Sequence, residues 1–250
     1  MMDLGALLPG SASSLANGIN GVGTVVGEYH TAGGQQRPFV YANGIAQDLG
    51  FDGVANCIND SGQIGGFERS AGGNLGFILS GGKRQYVGSL GGNDTEVGRI
   101  NNSGVAVGNS MTAQGTYHAY LYQNGVMRDL GTLGGDSSGA YGLTIQGDVV
   151  GQAKDGQGVF RAYVYRNGAM ADLNSLLPAG SSWFLTIAYG INDAGQVVGA
   201  GNLNGQVGGF LLTPIPPGPS RASFTARNAD AQSTELFLIE TEGDQPSEKP

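Results

Sequence analysis

Tyr189-Gly190-Ile191-Asn192-Asp193-Ala194-Gly195-Gln196-Val197-Val198-Gly199 decides how this chain is read, because the same pattern occurs four more times. It stands as Asn17-Gly18-Ile19-Asn20 to Val25-Val26-Gly27, as Cys57-Ile58-Asn59-Asp60 to Ile64-Gly65-Gly66, and as Arg99-Ile100-Asn101-Asn102 to Ala106-Val107-Gly108. A looser copy runs from Tyr141-Gly142-Leu143-Thr144 to Val149-Val150-Gly151. The closing glycines 27, 66, 108, 151 and 199 are 39, 42, 43 and 48 residues apart. A period in that range marks a repeat architecture, in which no single unit buries a core alone.

Two further elements recur between these copies. One is a short run of aromatic and β-branched residues: Phe39-Val40-Tyr41, Phe77-Ile78-Leu79, Tyr120-Leu121-Tyr122, Tyr163-Val164-Tyr165 and Phe210-Leu211-Leu212. The other contains Asp-Leu: Asp3-Leu4-Gly5, Asp48-Leu49-Gly50, Asp129-Leu130-Gly131 and Asp172-Leu173-Asn174, with a weaker copy at Tyr86 to Leu90. Asn43-Gly44, Asn124-Gly125 and Asn167-Gly168 join the two, with Gly81-Gly82 in the second unit. Asn-Gly between apolar runs is a strong hairpin signal, because a type I′ turn needs positive φ at both central residues. Each unit therefore reads as a four-stranded antiparallel meander. The predicted fold is all-β: a five-bladed β-propeller spanning residues 1–213. One Asp-Leu element precedes the first repeat and none follows the last. The ring is accordingly expected to close by pairing of the N-terminal strand, residues 2–5, into the last blade.

Composition narrows the function classes. Gly accounts for 47 of 250 residues without a Gly-X-Y period, which is turn chemistry and not collagen. The net charge is −8 and only 12 residues are Lys or Arg, so a nucleic-acid partner is not expected. The single cysteine, Cys57, allows no internal disulfide and reads as a small buried filler. No apolar run is long enough to span a bilayer, and Met1-Met2-Asp3-Leu4-Gly5 carries no signal-peptide pattern. Pro214, Pro216, Pro217 and Pro219 begin a segment, 214–250, read as a linker followed by a disordered acidic tail. Leu236-Phe237-Leu238-Ile239 is a lone apolar burst within it.

The series Ile-Asn-Asp-x-Gly-x-Val-Val-Gly followed by His118-Ala119-Tyr120-Leu121-Tyr122 to Asp129-Leu130-Gly131-Thr132-Leu133-Gly134-Gly135 resembles the HAF-type extracellular repeat family of bacteria. Asp172-Leu173-Asn174-Ser175-Leu176-Leu177-Pro178 is also similar to members of that family, and the resemblance covers residues 2 to 213. It implies a secreted or cell-surface protein without established catalytic residues. Leu211 to Pro216 is similar to the stretch before a C-terminal Pro-Glu-Pro sorting signal, but the Glu, the apolar helix and the basic end are missing here.

Propeller glycosidases need two acids at a defined separation. The first strand of each unit lines the centre and holds no carboxylate in this reading, with Glu96 just before the third copy. Glu68, Glu96 and Asp136 are the acids a hydrolase would depend on. The recurring Asp of the Asp-Leu element reads as part of the repeat's own hydrogen bonding. His30 and His118 lack partners at metal-ligand spacing, so no metal or cofactor is expected. What remains is a binding face made of loops rich in Asn, Gln, Gly and aromatics, which suit sugar rings and hydroxyls. The candidate ligand-binding residues are Tyr29, His30, Asn109, Tyr117 and Trp183. The expectation is a monomeric, non-catalytic module for a glycan or cell-surface ligand, with a glycoside hydrolase and a purely structural repeat as alternatives.

Overall fold

The computed structural model describes residues 2–214 and 239–241. They form five sheets of four antiparallel strands, each a meander in chain order. The first holds β1 (Ser11–Ile19), β2 (Val25–Thr31), β3 (Gln36–Ala42) and β4 (Ile45–Asp48). The second holds β5 (Gly53–Ile58), β6 (Ile64–Ser70), β7 (Gly73–Ser80) and β8 (Lys83–Tyr86). The third consists of β9 (Gly91–Ile100), β10 (Ala106–Thr112), β11 (Tyr117–Gln123) and β12 (Val126–Asp129). The fourth consists of β13 (Gly134–Leu143), β14 (Val149–Asp155), β15 (Phe160–Arg166) and β16 (Ala169–Asp172). In the fifth, β17 (Trp183–Ile191), β18 (Val197–Leu203) and β19 (Gln206–Pro214) are joined by β20 (Ile239–Thr241). Asn43, Asn124 and Asn167 take φ near +50° ahead of positive-φ glycines, as the type I′ turns require.

The first strand of every sheet carries a bulge at the same place, after Ala16, Ala55, Val97, Ala140 and Ala188. The closing glycine of the second strand lies opposite it. A Cβ on Gly27, Gly66, Gly108, Gly151 or Gly199 would lie 1.9 to 2.1 Å from a carbonyl oxygen of the first strand. In three of the five units the aromatic of the third strand also crowds that point, with Phe39, Tyr163 and Phe210 within 3.0 Å of it. The glycine of Val-Val-Gly is thus a packing requirement of the bulged meander.

Successive sheets share apolar clusters. Val26 packs with Ala55, Ile58 and Phe77 between the first and second sheets. Cys57 and Ile78 meet Val97 and Tyr120 between the second and third. Val107 and Leu130 meet Ala140 and Val149 next, and Val150 and Leu173 meet Leu185 and Ala188 last. The Leu of the Asp-Leu element fills these interfaces, while its Asp closes a local turn. Asp3, Asp48 and Asp129 accept the N–H of the glycine two residues on, and Asp172 accepts that of Asn174.

Polar bonds also cross between the sheets. Asn20 Nδ2 donates to the Asn59 carbonyl at 3.2 Å, Asn59 Nδ2 to that of Asn101 at 2.9 Å, and Asn101 Nδ2 to that of Thr144 at 2.8 Å. A parallel series runs beside it. Gly21 N–H donates to Asp60, Asp60 N–H to Asn102, and Ile145 N–H to Asp193. The turns bearing these groups, from all five sheets, line one hollow of about 370 Å³.

The N-terminal strand does not complete the last sheet. Gly5–Leu7 forms a 3-10 turn, and Leu4 and Leu8 pack into a cluster with Tyr29 and Phe39 on the first sheet. Burying those two leucines there holds the segment on the first sheet, and β20 pairs with β19 instead. The five sheets form no closed sheet. Ile19 is 68% exposed where Ile58 and Ile100 are 9%, and Val198 is 47% exposed where Val26, Val107 and Val150 are 0%. The expected linker and tail fall mostly on 215–238 and 242–250, outside the described residues.

Gly151→Ala is the direct check on the bulge. The added methyl has no room beside the Gly139 carbonyl, and a loss of about 3 kcal/mol is expected in urea unfolding. An unchanged midpoint would contradict the packing role.

Candidate functional site

A cavity of about 460 Å³ opens between the second, third and fourth sheets. Its third-sheet wall is Asp94 and Glu96 of β9, Asn109 of β10 and Tyr117 of β11; the fourth sheet adds Tyr141, Gln152 and Phe160. The bulge positions explain the space. In the first two sheets the bulged residue is Asn, and Asn17 Nδ2 and Asn56 Nδ2 donate to the Ala55 and Val97 carbonyls of the next sheet. In the third it is Gly98, which has no side chain to reach across. Asn109 takes over the bridge: its Oδ1 accepts the Ala140 N–H at 3.1 Å and its Nδ2 donates to Glu96 at 2.9 Å. The fourth bulge carries Tyr141, aimed sideways; its hydroxyl accepts from Gln152 Nε2 at 3.1 Å, and its ring lies 6.5 Å from that of Tyr189.

Burial raises the Tyr117 hydroxyl above its ordinary pKa, and Asp94 adds to the shift. Burial also raises Tyr141, with Glu96 contributing. Both tyrosines therefore stay protonated donors at neutral pH, facing half-buried carboxylates. Tyr163 behind this sheet is fully buried, and its hydroxyl has no hydrogen-bond partner, whereas its counterpart Tyr120 donates to the Glu96 carbonyl at 3.0 Å.

Of the five sequence candidates, the structure brings Asn109 and Tyr117 together in this cavity. Tyr29 is only 3% exposed, packed with Leu8 and Phe39, so its ring faces the core and offers no stacking surface. His30 sits on the first sheet, its Nδ1 within 3.4 Å of the Ser13 hydroxyl. Trp183 packs edge-on against Phe210 in the interface of the fourth and fifth sheets. These three share no cavity with Asn109 and Tyr117. Sequence reasoning named Glu96 only as an acid a hydrolase would depend on, and missed Asp94, Tyr141 and Gln152 as lining of this cavity. It placed Glu96 in a connection, whereas β9 begins at Gly91 and carries both acids on the strand. The other two hydrolase candidates stand apart from Glu96 in ion pairs: Glu68 with Arg84 at 3.3 Å and Asp136 with Lys154 at 3.0 Å.

The recurring Asp and the His of the His-Ala-Tyr triplet are also explained. Arg37–Asp48 at 2.7 Å, His118–Asp129 at 2.9 Å and Arg161–Asp172 at 3.4 Å link the same two positions of three repeats. Cys57 is buried, and burial pushes its thiol up to about 12, so it is an inert filler at neutral pH. Among the described residues no three His, Cys, Asp or Glu side chains converge as a metal site would need, and no helix is long and apolar enough to cross a membrane.

The sequence matches no protein-family model and no curated protein sequence. The fold does have relatives. TolB from Acinetobacter baumannii superposes with a TM-score of 0.54 and 14% identity, over 80% of this chain and 52% of that one. The chain therefore spans about half the length of that protein. XC5397 from Xanthomonas campestris, described as a gluconolactonase, gives a TM-score of 0.44 and 12% identity, over 79% and 75%. Five four-stranded antiparallel sheets and the likeness to TolB make this a propeller-type fold. The expectation that the chain is not an enzyme does not stand, because a matching structure bears an enzyme's name. At 12% identity that likeness assigns no reaction to this chain.

Proposed function

We propose that this chain is a carbohydrate-binding propeller whose ligand enters the cavity between the second, third and fourth sheets. The observation that carries this is the lining. Tyr117, Tyr141 and Phe160 offer apolar ring faces, and Asn74, Asn109 and Gln152 offer planar amides, around about 460 Å³ of open space. A sugar ring matches that mixture, with its C–H face on an aromatic and its hydroxyls on amides and carboxylates. The resemblance to the HAF-type repeat family supports placing the protein outside the cell or at its surface, where such ligands are displayed. It acts as a monomer.

Tyr117→Ala tests the reading most cleanly, since the side chain is 39% exposed and stands at the start of β11. On a glycan array and in titration calorimetry, the wild type is expected to bind a saccharide saturably. The variant should lose about tenfold or more in affinity at an unchanged melting temperature. A blank array for the wild type would refute the proposal.

In this reading the five sheets are five blades arranged about the central hollow, with the seam between the fifth and first sheets open where Ile19 and Val198 are exposed. Asn20 and Asn192 line the same central hollow, and Asn192 Nδ2, which donates to Gln196 within its own turn, is the group that would extend the series to the Asn20 carbonyl. Val198→Asp checks the seam: with Val198 47% exposed the variant is expected to lose no more than about 0.5 kcal/mol in urea unfolding, whereas a loss of about 3 kcal/mol would mean that the fifth sheet buries Val198 against the first.

A further inference from the structure

The cavity carries charge of one sign only. Asp94 accepts from Asn74 Nδ2 at 3.3 Å and Glu96 from Asn109 Nδ2 at 2.9 Å, and among the described residues neither has an ion-pair partner within 4.0 Å. Among the described residues several acids elsewhere are paired with a base, although Glu28, Asp60 and Asp193 are not. Asp48, Glu68, Asp136, Asp148 and Asp155 each lie within 3.3 Å of an Arg or Lys. Lys154, whose ammonium lies 5.4 Å from the Phe160 ring centroid at the edge of the cavity, is taken by Asp136.

Two half-buried carboxylates without a protein counter-ion present net negative charge to the cavity, which attracts an incoming cation. Aromatic walls add to this, because ring faces attract ammonium groups and favour them further once water is displaced. Asp94 and Glu96 both act electrostatically on Tyr117, and Glu96 also acts on Tyr141, which places acids and rings about the same space. A neutral saccharide would leave the carboxylates uncompensated. An anionic one would be repelled.

We infer that the preferred ligand carries a primary ammonium, as an amino sugar with a free amine does, with Asp94 and Glu96 receiving the ammonium and Tyr117 and Tyr141 flanking the ring. This rests on the carbohydrate reading above and adds the charge of the ligand to it. The affinity falls as salt rises, since the attraction is screened at the half-open mouth of the cavity.

The test is titration calorimetry on the full chain with three oligosaccharides of equal length: glucosamine, N-acetylglucosamine and glucose oligomers. The glucosamine oligomer is expected to bind about tenfold tighter than either neutral one. That advantage should vanish in Glu96→Gln, which keeps an acceptor for Asn109, and in Asp94→Asn, with the melting temperatures of both variants unchanged. It should also shrink between roughly 0.05 and 0.5 M salt. Equal affinity for all three oligomers would overturn the ammonium inference and leave the carbohydrate reading standing. Binding of none of them would overturn both.

Discussion

An asparagine side chain that reaches sideways out of a turn is the constraint on which this structure depends. Hydrophobic burial between sheets is large but non-directional, and it would let neighbouring sheets slide or rotate. The Asn20, Asn59 and Asn101 amides each donate to the backbone of the next sheet, while Oδ1 of the same residue accepts the N–H four residues on, at Thr24, Gln63 and Val105. One side chain thus closes its own turn and fixes the angle to its neighbour. That double duty explains why Ile-Asn is the most regular part of the repeat. Thr144 marks the exception: its hydroxyl accepts the Asp148 N–H, but it has no amide to send onward, and Asp193 supplies the crossing bond there by receiving the Ile145 N–H.

From this register the cavity follows. What fills the space between neighbouring sheets beyond the turns is set by the bulge residue of each first strand. Asn17 and Asn56 bridge it; Gly98 leaves it open. The candidate site is therefore the place where the repeat departs from its own pattern. Glu96 occupies a position held by Leu15, Val54, Gly139 and Ile187 in the other sheets. A carboxylate among four apolar or small residues, on the wall of the cavity, is the kind of local inconsistency that function rather than folding accounts for.

The repeat made most of the fold legible. The Asn-Gly joints, the aromatic third strand and the Val-Val-Gly glycine each have one physical reason, and each recurs often enough to be recognised. The N-terminal segment was misplaced because Asp3-Leu4-Gly5 carries the same turn chemistry as its later copies. That chemistry fixes the turn and the inward Leu, but not which strand the segment pairs with. The site was half legible. Asn109 and Tyr117 are legible as polar and aromatic residues of a loop-like stretch, although Asn109 lies midway along β10 and Tyr117 opens β11. Tyr29 and Trp183 were chosen as aromatics near loops, yet an aromatic in an alternating strand points to the core as often as to solvent, and composition cannot tell the two apart. Asp94 is hidden, and Glu96 is visible only as a hydrolase acid and not as part of this wall, because β9 is longer than its apolar part, so the strand begins in residues that read as a connection.

The central claim is that side chains of one sheet hold the next, and amide hydrogen exchange of the full chain measures it most directly. The N–H groups of Gly21, Asp60 and Ile145 lie in exposed turns, and each donates to an acid or amide side chain of the following sheet. The account predicts that these three exchange far more slowly than the neighbouring exposed turn amides, and together, as one cooperative unit. Exchange at the rate of free turn amides would mean that the crossing bonds do not hold the sheets, and the account of the repeat would fail with them.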